Sequence, residues 1–282
     1  MSTDVQITAG DGQALQATLY APPGARTWLV INSAMGVRRR FYRHLAAHLV
    51  ARGIGVITYD YRGMGDSVVG SGGVARIRLE DWGRRDFPAV LGWVRQCQKP
   101  DRVVVLGHSV GGQLLGIAPE VREVDALVGV ATQSGYWGHW DGLERAKVFA
   151  LWYAAIPLLT AASDRFPASR FGLGQDIPSG VARQWAQWGR DPQYVRSRTV
   201  GPQPQFHDDV RCPLRTYLIE DDQLAPPRAS RAWHDWFPNA VRELVSVGPR
   251  NVAGRKLGHF SFFDPDVGAD EWSGLTQFIR GG

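Results

Sequence analysis

The 282-residue chain has only two cysteines, Cys97 and Cys212, neither in a C-x-x-C pair nor beside a candidate base, which excludes a disulfide framework and a cysteine-based metal cluster. Long apolar runs are scarce too. The longest, FALWYAAIPLLTAA from Phe149 to Ala162, is too short to span a bilayer and contains Pro157, so a buried or cap helix is expected there. The opening MSTDVQITAGDGQALQATLYAPPG has no basic segment leading into an apolar one and no small-residue cleavage site, so a cytoplasmic location is expected. Dense charge is equally rare. The net charge is +5, but Arg38-Arg39-Arg40 is the one dense basic run, expected as a solvated helix start, and no nucleic-acid module is recognisable. No repeat period or low-complexity tract interrupts the chain, and nothing in it signals an oligomeric state.

What is present is 44% hydrophobic residues, enough for a sizeable core, in a length that suits one catalytic domain carrying one elaboration. The most telling stretch is VVVLGHSVGG, residues 103–112. Val103, Val104, Val105 and Leu106 suit a strand covered on both faces, and Gly107-His108-Ser109-Val110-Gly111 then allows a tight reversal into a helix. A serine at the apex of such a turn is pushed out of the sheet with its hydroxyl exposed, whereas a serine that only capped the helix would need no strand before it. Ser109 is therefore the candidate nucleophile.

Strands at Thr27–Asn32, Gly55–Tyr61, 103–106, Ala126–Ala131, Leu214–Ile219 and Arg242–Val247 alternate with helical segments, FYRHLAAHLVARG, Trp82–Cys97, Gln113–Pro119 and Ala229–Trp236 among them. That alternation implies a mostly parallel sheet covered on both faces. It breaks between about Gly135 and Phe206, an aromatic-rich stretch without a convincing strand. The expected division is a core of residues 1–134 and 207–282 with a helical cap of residues 135–206 inserted after the strand Ala126–Ala131.

A serine at its ordinary pKa needs a histidine to take its proton and a carboxylate to orient that histidine, from loops at the carboxyl ends of later strands. Glu220-Asp221-Asp222 follows one strand and Gly258-His259 follows the last. Asp222 is the candidate acid because an Asp-x-apolar-x-Pro turn begins with it; Asp221 is the runner-up, and Glu220 belongs with the strand. His259 is the candidate base. His44 and His48 lie four apart on one helix but lack a third ligand, His108 packs beside the turn, and His139, His207 and His234 read as cap or surface residues. No metal or cofactor is expected. Acyl transfer also needs oxyanion donors, which position assigns to the amides of Val110 and of either Ala34 or Met35.

With VVVLGHSVGG, EDDQLAP and GHF in this order, and with DYRGMGDS and DGQALQATLYAPPG, the chain resembles the α/β-hydrolase superfamily. FYRHLAAHLVARGIGVITYDYRGMGDS, SGYWGHW, QWAQWGR and GHFSFFDP look like a bacterial subgroup near the serine aminopeptidase and monoglyceride lipase branch. The resemblance implies an eight-stranded, mostly parallel sheet flanked by helices with the helical cap inserted after its sixth strand, and a serine hydrolase acting on an ester or related acyl compound with an apolar part. An acyltransferase would use the same triad; an aminopeptidase would need an acid for the free amino group, for which Asp141, Glu144, Asp164 and Asp176 are available; a non-catalytic binding role would leave the triad idle. The superfamily commonly has His-Gly after the early strand, where this chain has Asn32-Ser33.

Overall fold

Side chains that alternate along the central strands divide between two hydrophobic clusters. Val30, Ile57, Val105 and Leu127 enter one, while Leu29, Ile31, Val56, Val104, Leu106 and Val128 enter the other. This period of two is what a sheet buried on both faces requires. The computed structural model describes residues 2–70, 73–252 and 254–282.

The strands are β1 (Ser2–Thr8), β2 (Ala14–Tyr20), β3 (Thr27–Asn32), β4 (Gly55–Tyr59), β5 (Arg102–His108), β6 (Ala126–Val130), the two-residue strands β7 (Arg165–Phe166) and β8 (Ile177–Pro178), β9 (Pro213–Ile219) and β10 (Val241–Val247). Eight of them form one sheet in the order β1-β2-β4-β3-β5-β6-β9-β10. Only the β1–β2 and β2–β4 pairings are antiparallel. The others run parallel, and the order turns back on itself beside β3, so the loops after β3, β5, β6, β9 and β10 gather at one edge.

Helix Phe87–Gln98 covers one face through Phe87, Val90, Leu91 and Val94. Helices Arg43–Val50 and Pro265–Arg280 cover the other through Leu45, Leu49, Trp272, Leu275 and Ile279. Two π-helical turns, Trp82–Asp86 and Leu151–Ala155, each end one residue before an X-Pro pair, Phe87-Pro88 and Ile156-Pro157. A proline inside a helix removes one N–H and crowds the carbonyl four residues back, and a widened turn accommodates both defects.

The chain leaves the sheet after β6 and returns at β9. Between them run helix Gly142–Ala150, its continuation to Ile156–Thr160, the antiparallel β7–β8 ribbon and helix Ser179–Gly189. The apolar run from Phe149 thus lies mostly on a helix, and the small ribbon is a strand pair that the sequence pattern does not reveal. Among the described residues, no helix is long and apolar enough to cross a membrane.

Two expectations are corrected. The helix after Ser109 is not Gln113–Pro119 but Val110–Gln113, followed by turns. The Gly116 carbonyl accepts the Phe206 amide at 2.7 Å, so this backbone is committed to a tertiary bond and not to a helical ladder. Arg39 is not solvated. It is 3% exposed and paired with the fully buried Asp60 and with Asp66, because a carboxylate buried at the end of β4 requires a cation; Arg38 and Arg40 remain exposed.

Candidate active site

β5 delivers Ser109 on a reversal so tight that its backbone stands at φ +52° and ψ −119°, a conformation that costs a residue with a side chain about 1–3 kcal/mol. Close packing holds it there. A Cβ on Gly107 would lie 2.3 Å from Gly112 Cα, and one on Gly111 would lie 2.2 Å from the Asn32 carbonyl oxygen. Only glycine lets the strand, the helix and the loop after β3 approach this closely. The Ser109 amide donates to the Val130 carbonyl at 3.0 Å, tying the turn to β6.

The three acids after β9 have separate partners. Glu220 accepts the Ser246 hydroxyl at 2.8 Å. Asp221 accepts the amides of Leu257 and Gly258 at 3.1 and 2.9 Å, which fastens the loop after β10 to the loop after β9. Asp222 accepts the amides of Leu224 and Ala225 with Oδ1, at 2.8 and 3.0 Å, and stands 2.6 Å from His259 Nδ1 with Oδ2. Gly258, at φ +52°, turns the chain so that His259 faces this carboxylate. His259 and Ser109 are both buried and line the same cavity; no hydrogen bond joins them in this structure, as is common before substrate draws reacting groups together.

Of the three amides considered as oxyanion donors, the structure sets Ala34 apart. Its N–H is donated to the Tyr42 hydroxyl oxygen at 2.9 Å. The Met35 amide has no acceptor among the described residues, and Met35 lines the cavity. Val110 opens helix Val110–Gln113, so its N–H has no intrahelical acceptor. Asn32, standing where His-Gly is usual, accepts the Tyr59 hydroxyl at 2.7 Å and bonds the Gly111 carbonyl, binding the loop after β3 to the Ser109 turn.

The cavity is narrow, about 80 Å³, and mostly apolar, with Trp140, Val148, Leu151, Trp152, Leu173, Trp185 and Phe260 in its wall. An open cleft of about 850 Å³ adjoins it, lined by Asp141, Glu144, Asp221, Arg228 and Lys256. The two share Trp140, Glu144, Gln223, Leu224, His259 and Phe260, so they adjoin beside His259. The Trp140 indole donates to the Gln223 carbonyl at 2.8 Å, latching residues after β6 onto the acid loop. Asp176, in contrast, bonds Ser169 and lines a separate cleft beside Gly63, and Asp164 is exposed outside both cavities.

The other histidines are placed as follows. His44 is exposed, and His48 Nε2 meets the Thr276 hydroxyl at 3.3 Å. His234 Nδ1 meets the Thr216 hydroxyl, and His139 lines the open cleft. His207 is neither cap nor surface: it is 1% exposed, wedged between Gly116 and the rings of Trp236 and Phe237, and burial pushes its pKa down to about 3. Among the described residues, no group of three or more His, Cys, Asp or Glu is arranged to hold a metal ion. Tyr42 is a site-region residue that the sequence pattern did not single out, because an aromatic at the start of an amphipathic helix reads as core.

The sequence profile described as the alpha/beta hydrolase family matches residues 21–271. Among solved structures the chain is similar to DcsB in complex with its substrate analogue, with a TM-score of 0.71 and 16% identity over 100% of this chain and 99% of that one. It is similar to an esterase of Pyrococcus furiosus, with a TM-score of 0.64 and 17% identity over 100% and 91% of the two chains. It is also similar to Est1E from Butyrivibrio proteoclasticus with ferulic acid bound, with a TM-score of 0.61 and 16% identity over 98% and 96%. No functionally curated protein matches the chain.

Proposed function

The chain belongs to the alpha/beta hydrolase family, and from that membership and the geometry above we propose that it is a serine hydrolase of carboxylic esters, with Ser109, His259 and Asp222 as its triad. One observation carries the reading. Ser109 occupies a strained strand-to-helix turn in the same cavity as His259, whose Nδ1 is held by the buried Asp222 carboxylate at 2.6 Å.

In this reading His259 Nε2 takes the proton from Ser109 as its Oγ attacks the acyl carbon, and Asp222 stabilises the imidazolium that results. The carbonyl electron pair becomes an oxyanion, received by the amides of Val110 and Met35. Collapse expels the alcohol, which takes the proton from His259, and leaves Ser109 acylated. Water then attacks the acyl carbon with His259 as base, releasing the acid and restoring Ser109. The two cavities suit the two halves of an ester. A short apolar acyl group fills the narrow cavity, and a more polar alcohol faces the open cleft where His259 returns the proton. Residues 135–206 act as the cap that supplies most of the apolar wall, over a core of residues 1–134 and 207–282.

The likeness to the Pyrococcus furiosus esterase supports the choice of ester over other acyl compounds. The test is hydrolysis of p-nitrophenyl esters from acetate to decanoate by wild type, Ser109→Ala and His259→Ala, each shown folded by circular dichroism. The reading expects turnover greatest on the short esters and lost in both variants. Turnover retained by Ser109→Ala overturns it.

A further inference from the structure

Three buried polar groups near the site take no part in that mechanism, and they form one chain. The Ala34 amide donates to the Tyr42 hydroxyl oxygen at 2.9 Å, the Tyr42 hydroxyl meets His108 Nδ1 at 3.0 Å, and His108 Nε2 meets the His259 carbonyl at 2.8 Å. The direction of each bond follows from the last. A carbonyl only accepts, so the proton of His108 is on Nε2. In the neutral ring Nδ1 is then an acceptor, and the Tyr42 hydroxyl must donate to it. The Tyr42 oxygen is thereby free to accept from Ala34. A single polarity runs from the loop after β3 to the loop after β10.

The middle of this hydrogen-bonded series is sealed from water. Tyr42 and His108 are fully buried and Ala34 is 2% exposed, while the His108 ring is packed against Phe41, Phe260 and Phe263 at centroid distances of 6.4, 5.8 and 4.6 Å. Burial, reinforced by the neighbouring His259, holds the His108 pKa well below the ordinary histidine value, and burial raises that of Tyr42 above the ordinary tyrosine value. Both groups therefore keep their protons in the places the chain requires while His259 gains and loses its own. A fully satisfied buried network has one low-energy arrangement, which is what makes it able to set a distance.

We infer that Tyr42 and His108 are positioning residues which fix the oxyanion loop and the general base relative to each other. Tyr42 takes the Ala34 amide for itself, which turns the next peptide so that the Met35 amide is the one left for the oxyanion. His108 holds the main chain of His259, and with it the ring that Asp222 orients. Neither side chain touches the reacting atoms. The inference rests on the serine-hydrolase reading, and it adds the pair of residues that align its two halves.

The test compares Tyr42→Phe with wild type, with kcat expressed per active site as counted by covalent labelling with a fluorophosphonate. Tyr42→Phe removes one oxygen and leaves the Ala34 amide and His108 Nδ1 without partners. The expected result is a fall in kcat on p-nitrophenyl butyrate of about 10- to 100-fold with little change in KM, the signature of a small misplacement felt in the transition state. The loss on the matching thionoester should be several-fold smaller, because the sulfur that carries its developing charge draws little from amide donors. A residue that only supported the fold would lower the melting temperature and the number of labelled sites without changing kcat per site. His108→Asn, which is too short to bridge Tyr42 and His259, should show the same kcat-selective loss, and it carries the test should Tyr42→Phe not fold. Per-site kcat within about twofold of wild type, or equal losses on ester and thionoester, overturns the inference. Ser109→Ala is measured alongside: its turnover would overturn the serine-hydrolase reading itself, whereas an inactive Ser109→Ala with an unaffected Tyr42→Phe overturns only this pair's role.

Discussion

Asp222 meets His259 with a single oxygen, Oδ2 to Nδ1 at 2.6 Å, while its other oxygen is fixed by the amides of Leu224 and Ala225. The carboxylate cannot rotate without giving up those amides, so the ring it faces is held in one orientation. Asp222→Asn keeps the shape but offers an amide N–H where the ring needs an acceptor, and kcat on short esters is expected to fall by about a thousandfold or more. Asp221→Asn, beside it, should lose about tenfold or less, because Asp221 holds main-chain amides of the neighbouring loop and not the ring. Steady-state kinetics on the two variants separates the roles.

Gly111→Ala tests the close approach of the Ser109 turn to the loop after β3. Its Cβ would stand 2.2 Å from the Asn32 carbonyl oxygen and 2.8 Å from that of Ser33, both main-chain atoms that cannot move alone. Overpacking of this kind destabilises by about 1–3 kcal/mol. The Val110 and Met35 amides are also driven apart, so kcat should fall by more than the fraction of unfolded protein explains. Melting temperature and labelled-site kcat, measured together, check both.

How much of this could be read in the chain varied with the kind of signal. β5 was legible because Val103–Leu106 are apolar on both faces, and the turn at Ser109 because close approach of two main chains demands glycine at defined positions. The turn ending in Pro226 points to Asp222 over Asp221, yet which carboxylate reaches the ring depends on side-chain rotation that no spacing encodes. Amides carry no side-chain signature, so spacing alone does not separate Ala34 from Met35; the Tyr42 hydroxyl, which accepts the Ala34 amide, does. Sequence alone reads His207 as a cap or surface residue, whereas its ring enters the core through the space that Gly116, 91 residues earlier in sequence, leaves open. The helix after Ser109 was displaced for a related reason: the carbonyl of Gly116 bonds Phe206 across the fold.

His207 predicts a pH dependence of stability. Its pKa is about 3 in the folded chain against 6.5 for an ordinary histidine, so below pH 6.5 the unfolded chain binds a proton that the folded chain does not. Stability is therefore lost as the pH falls from 6.5 toward 3, by about 1.4 kcal/mol per pH unit from this group. His207→Leu removes the proton site while keeping an apolar side chain, and should flatten the slope of unfolding free energy by that amount. Urea titrations at pH 7, 6 and 5 measure it; an unchanged slope contradicts the burial argument.

Leu173 stands in the wall of the narrow cavity. Leu173→Ala should deepen it and raise kcat/KM for hexanoate relative to butyrate by about tenfold, the scale on which a pocket discriminates one or two methylenes. An unchanged ratio would place the acyl group elsewhere.

If Ser109 carries the acyl group, rapid-quench mass spectrometry during p-nitrophenyl butyrate turnover should capture it there. The leaving group makes deacylation the slower step, so the acylated protein accumulates. The expected result is a mass increase of one butyryl group that maps to the peptide containing Ser109 and is absent in Ser109→Ala. Ester turnover with that peptide unmodified, or with the adduct on another residue, would rule out Ser109 as the nucleophile.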